Sequence, residues 1–257
     1  MSNNQSPQIL GTAPIGKLLV EYSLPAIIAM TVVSLYNVID SIFIGHGVGA
    51  MAIAGLAITF PLMNLIIAFC TLVGVGAATI SSIYMGQKDI QRATFVLHNA
   101  AILLLVNGLL VTIVTLIFLD PILLFFGASH ETLPYARDFM QVILIANPIA
   151  YLFVGLNNLM RATGYPKKAM LSSFLTVAVN VIVAPIFIFV LDWGIRGAAM
   201  ATAIAQLTGL VWVLAHFLNK KSFISFKKGC FKLHRRIIAS ILSIGMSPFL
   251  MNSCACI

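Results

Sequence analysis

Long, nearly unbroken apolar runs alternate with short polar gaps along this chain. Seven runs can be marked, at residues 15–44, 52–85, 94–119, 139–160, 169–191, 198–218 and 237–257. About 20 apolar residues in a helix cross the hydrocarbon layer of a bilayer, and every one of these runs is long enough. The apolar positions are continuous rather than alternating, which is the pattern of membrane helices and not of barrel strands. The predicted fold class is therefore all-α: a polytopic membrane protein, a six-helix transmembrane bundle followed by the start of a seventh span. Pro25, Pro61, Pro148 and Pro185 fall inside the runs, and each predicts a kink or a hinge.

The gaps divide the chain into a polar tail (1–14), a six-helix lobe (15–218), a basic amphipathic connector (219–236) and an incomplete seventh span (237–257). The opening residues lack a basic segment followed by an apolar one and a cleavage site, so no cleaved signal peptide is expected. Composition agrees with the runs: 60% of residues are hydrophobic and only 9% are charged, with a mean hydropathy of +1.04. The net charge of +8 does not mark a nucleic-acid binder, because the basic residues sit in the short gaps. Lys88 and Arg92, then Arg161, Lys167 and Lys168, then the 220–236 cluster fall on alternate connections, on the side of the N-terminus. The opposite connections hold Arg137 and Arg196 against Asp120, Glu131, Asp138 and Asp192. The positive-inside rule then places the N-terminus in the cytoplasm of a multi-pass plasma-membrane protein. The connector reads as a retention and lipid-headgroup element, so the lipid bilayer is its expected partner. Cys70, Cys230, Cys254 and Cys256 form no ligand pattern, and the five histidines are scattered, so no metal site is expected from them.

One residue departs from this picture. Asp40 lies inside the first apolar run, where a carboxylate costs several kcal/mol unless it faces a cavity, a partner or an ion. Tyr36 and Asn37, four and three residues earlier, are expected on roughly the same helix face. Asp40 lies roughly 6–8 Å in from the outer end of its span, and Asn180 and Thr202 roughly 12–16 Å in, at 1.5 Å per residue. One cavity could hold all three. In the sixth run Gly197, Ala201, Ala205 and Gly209 form a ridge of small residues for close packing, with Ala198, Thr202 and Gln206 beside it. Asn147, Tyr151 and Asn158 make a polar stripe in the fourth run with Asn157 alongside; Asn64 and Thr71 do so in the second. Tyr36, Asn37, Asn64, Asn147, Tyr151, Asn157, Asn158 and Gln206 are thus the expected cavity or substrate residues. For Asn64, Asn107, Asn147 and Asn157 the alternative of interhelical hydrogen-bond glue stays open.

Taken in order, PIGKLL and SLP in the first span, LYNVIDSIFIG, YMGQKD, LMRATGYPKKAM, NVIVAPIFIF and GIRGAAMATAIAQ resemble the multidrug and toxic compound extrusion (MATE) transporters over essentially the whole chain. The resemblance implies a transporter rather than an enzyme: two six-helix lobes in the bacterial inner membrane, exchanging protons or sodium for cationic amphiphilic drugs, with no cofactor. Only the N-terminal lobe is represented. Pro248 in IGMSPFLMN follows a basic start much as Pro25 does, so a second repeat is expected to begin there and to be cut off, with a missing C-terminal lobe as a further partner. By the same resemblance, Asp40, Asn180 and Thr202 form the cation or proton site. Pro25 and Pro185 are the expected hinges, with simple kinks as the alternative. Ala184 stands where the family pattern has a second acid. Sodium wants several hard oxygen ligands, and this substitution removes one, so the three residues would hold sodium only weakly. A lone buried carboxylate can still take up a proton, because loss of water disfavours its charged form. Proton coupling is therefore expected over sodium. The rival readings are a non-transporting membrane fragment or half-transporter that needs a second lobe, and a lipid-linked oligosaccharide flippase. The flippase is disfavoured because no basic residue is expected within the spans.

Overall fold

The computed structural model describes residues 15–219, 224–226 and 234–254. The expected tail at 1–14, most of the connector at 219–236 and the last three residues of the seventh run fall outside them. The described residues are helical and contain no strand. In chain order the helices are α1 (Ile15–Gly47), α2 (Ala50–Gly86), α3 (Ile90–Ile117), the short α4 (Leu119–Phe125), α5 (Leu133–Ala162), α6 (Pro166–Pro185), α7 (Gly194–Leu218) and α8 (Arg235–Cys254). All but α4 are long and apolar enough to cross a membrane. This is a multi-pass membrane protein.

Local chemistry sets the helix ends. Gly49, at φ 111°, turns the chain between α1 and α2 in a conformation that other residues resist. The Asp89 side chain caps α3 by accepting the backbone N–H of Arg92 at 2.9 Å. Pro166 opens α6 at a position where its missing N–H costs nothing. At the far end of α6, Pro185 cannot donate to the helical ladder. The next five residues, Ile186–Val190, wind as one π-helical turn, with Leu191 N–H bonding to the Ile186 carbonyl at 3.0 Å. Pro25, by contrast, sits inside an uninterrupted α1. The fourth span is longer than its apolar run, starting at Leu133 and ending at Ala162.

Helices α2 and α5 form the middle of the bundle: α2 packs on α8, α5 and α3, and α5 packs on α7, α3 and α6 as well. The α1 helix leans mainly on α6 and is the least enclosed of the first six spans. Leu24, Ile27, Met30 and Val38 point outward from it, as expected where the solvent is hydrocarbon. Glycines set the closest approaches. A Cβ on Gly74 would lie 3.2 Å from Gly155 Cα, while one on Gly76 would overlap the Ile241 carbonyl and one on Gly245 the Leu72 carbonyl. The α2–α8 contact is therefore backbone against backbone. Gly245→Leu is expected to pry α8 from α2 at a cost of about 1–3 kcal/mol, typical of overpacking. It should lower the thermal unfolding midpoint in detergent, and an unchanged midpoint would show that α8 does not seat there.

Candidate cation site and cavity

Three helices bring polar groups together in the interior. The α1 helix carries Tyr36 and Asp40 one turn apart, α6 carries Asn180 and α7 carries Thr202. Asn180 Nδ2 donates to the Tyr36 hydroxyl at 3.1 Å and to Thr202 Oγ1 at 3.1 Å. The two hydroxyls lie 3.1 Å apart and close the triangle. Thr202 Oγ1 is also 3.2 Å from the Ala198 carbonyl, to which it can donate. Asp40, only 9% exposed, stands one turn further along α1 and interacts with the Tyr36 hydroxyl.

This arrangement uses up donors and leaves acceptors over. Asp40 Oδ1 and Asn180 Oδ1 are both buried without a hydrogen-bond partner. A buried acceptor left unpaired costs about 1–3 kcal/mol, and more when charged. A hydrogen-bond donor or a positive group would match such oxygens. The Tyr36 and Thr202 hydroxyls are engaged with Asn180 and with each other. Ala184 is fully buried one turn beyond Asn180 and contributes only a methyl group. The oxygens gathered here are those of Asp40, Asn180 and the Tyr36 and Thr202 hydroxyls, whose remaining lone pairs are also available. Among the described residues there is no group of three His, Cys, Asp or Glu.

Beside the triangle lies a cavity of about 270 Å³ bounded by α1, α5, α6 and α7. Of the residues expected to line a cavity, Tyr36, Asn157, Asn158 and Gln206 do so, together with Asn180 and Thr202. Others go elsewhere. Asn37 is exposed and lines a separate groove between α1 and α2 with Ser41 and His46, so it does not share the working face of Tyr36 and Asp40. One residue along a helix is a rotation of about 100°, enough to turn Asn37 out. Asn64 is likewise exposed, away from the cavity. Asn147 donates to Thr112 Oγ1 at 3.2 Å and to the Gly108 carbonyl at 3.4 Å, joining α5 to α3. The Tyr151 hydroxyl donates to the Ile66 carbonyl, joining α5 to α2. Both are interhelical ties rather than cavity groups. Asn157 does both jobs: it donates to Ser172 Oγ and the Ala169 carbonyl of α6 while facing the cavity.

Arg161 was missed. The sequence placed it in a basic turn, but α5 runs on through Ala162 and Arg161 lines the cavity wall. The expectation that no basic side chain lies within the spans is corrected accordingly. The signal was its spacing, four residues after Asn157 and three after Asn158.

The MatE family profile matches residues 25–186, more than half of the chain. The chain belongs to the MatE family. It is 30% identical over 240 residues to the multidrug export protein MepA of Staphylococcus aureus, covering 93% of this chain and 53% of that protein. It is 32% identical over 235 residues to MepA of Staphylococcus haemolyticus, with 91% and 52% covered. A crystal structure of MATE in the bent conformation superposes with a TM-score of 0.89 at 29% identity, covering 97% of this chain and 55% of that one. The chain thus spans about half the length of the MatE relatives it matches. The triangle of Tyr36, Asn180 and Thr202 joins α1 within the matched segment to α7 beyond it.

Proposed function

We propose that this chain is the N-terminal lobe of a cation-coupled antiporter that exports cationic amphiphilic drugs, with the proton favoured over sodium. It would sit in a bacterial inner membrane with its N-terminus in the cytoplasm, an orientation supported by the basic residues on alternate connections. The observation that carries the reading is the pair of orphaned buried oxygens, Asp40 Oδ1 and Asn180 Oδ1, the second of them on the wall of a largely apolar cavity that carries a few polar side chains.

The cycle follows from that pair. With Asp40 ionised, its charge draws an organic cation into the cavity. When the site opens outward, a proton binds the carboxylate and removes its charge. The attraction for the drug falls, and the drug leaves. Proton and drug are negatively linked, and the linkage is reciprocal: each weakens the other by the same factor. The break in the ladder after Pro185 gives α6 a place to bend close to the site.

A second reading is favoured by one fact. Because the chain spans about half the length of its relatives, it could act as a half-transporter that moves nothing without a second lobe. A lipid-linked oligosaccharide flippase is less well supported, since its pyrophosphate calls for several basic groups and Arg161 is the single one on the cavity wall among the described residues. Expression of the chain in a drug-sensitised bacterium separates the first two readings. Lowered ethidium accumulation relative to an empty vector supports transport by the chain itself, and unchanged accumulation supports the half-transporter.

A further inference from the structure

Arg161 is a cation on the wall of a cavity otherwise read as a site for cations. Its guanidinium reaches Asn157 Oδ1 at a long 3.5 Å. Among the described residues no carboxylate pairs with it; the ion pairs found there are Arg92–Asp89, Arg137–Asp120 and Arg196–Asp138. Across the cavity it faces Ser173 and Thr176 of α6 and Gln206 of α7, none of them acidic. Arginine has five N–H donors in a planar fork, so most of its capacity here is unspent. It also borders a smaller cavity against α2, beside Ser82. It is partly buried rather than extended to the surface.

Its position along the cavity gives the charge a meaning. The cavity follows α5 from Phe153 to Arg161 and α6 from Ser173 to Asn180, about 10–12 Å at 1.5 Å per residue. Arg161 closes the end nearer the basic loops. The Tyr36–Asn180–Thr202 triangle closes the other end, and Asp40 lies just beyond it. A chamber with a cation at one end and a carboxylate past the other matches an elongated molecule of the reverse polarity.

We propose that Arg161 is a specificity-determining residue that binds an acidic group, such as a carboxylate, on an amphiphile whose cationic end points towards Asp40. The inference rests on the cavity being a binding site for organic cations and adds that zwitterions are preferred. A guanidinium fork meets a carboxylate through two parallel hydrogen bonds, which a lysine cannot reproduce.

Rhodamine B and its ethyl ester carry the same cationic ring system and differ in whether the carboxylate is free. Fluorescence anisotropy with the purified full chain would give the affinity of each dye. The wild type is expected to bind the free acid at least as tightly as the ester. Arg161→Gln should lower the ratio of acid to ester affinity about tenfold, as loss of a charge-assisted hydrogen bond implies. Arg161→Lys should recover part of that ratio. Continued binding of the ester shows that the variants retain the cavity, and a merely structural role for Arg161 would weaken both dyes alike. A ratio unchanged by Arg161→Gln, or a wild type that prefers the ester, overturns the proposal while leaving the cation site standing. Binding of neither dye to the wild type removes the cavity reading and this inference with it.

Discussion

Asp40→Asn is expected to weaken binding of a permanently charged cation such as ethidium by tenfold or more and to flatten the pH dependence of that binding. Two unit charges about 8 Å apart at an effective dielectric constant of about 20 interact by about 2 kcal/mol, or roughly thirtyfold in affinity. Asparagine keeps the size and most of the hydrogen bonding of the aspartate, so the loss reports charge rather than shape. The sign of the pH effect is fixed by the competition. Protonation removes the attracting charge, so the wild type binds the cation more weakly as the medium becomes acidic. The variant already resembles the protonated form and should not respond. Isothermal titration at two pH values checks both parts. Were Asp40 only a structural tie, the variant would bind as the wild type does and keep the same pH response.

The second large effect concerns the missing acid. Ala184→Asp places a carboxylate one turn from Asn180, at a fully buried position. Without a counter-ion this second buried charge is expected to destabilise the lobe by about 3 kcal/mol or more. With sodium present, the added carboxylate would supply further hard oxygen ligands. The variant should therefore gain several degrees of thermal stability on addition of sodium at constant ionic strength, while the wild type gains none. A wild type that sodium stabilises would contradict the preference for the proton. A variant indifferent to sodium would show that position 184 does not face the site.

The seven spans were legible because length and hydropathy decide whether a segment crosses a bilayer. Tyr36 and Asp40 were legible as a pair because they lie one turn apart, and Asn180 and Thr202 because their depth matched. The departures on α5 have one physical origin. Around a buried helix such as α5, several directions are interior at once, so a polar residue can face a cavity or a neighbouring backbone with the same sequence signature. Asn147 turns to α3 and Tyr151 to α2, while Asn157 and Asn158 turn to the cavity. Asn37 parts from Tyr36 for a different reason: on the poorly enclosed α1, a single residue of rotation separates the lobe interior from the groove that Asn37 lines. Arg161 was lost to a helix end drawn too early. The π-helical turn after Pro185 is set by where the displaced ladder finds its next partner, which no pattern of apolar positions records.

The central claim is that one carboxylate on α1 exchanges a proton for a positively charged drug. Its most direct test is the number of protons released when ethidium binds the purified chain in weakly buffered, mildly acidic solution, read with a pH indicator. The account predicts release approaching one proton per ethidium from the wild type and none from Asp40→Asn. Binding without proton release by the wild type, or equal release by the two proteins, would contradict it.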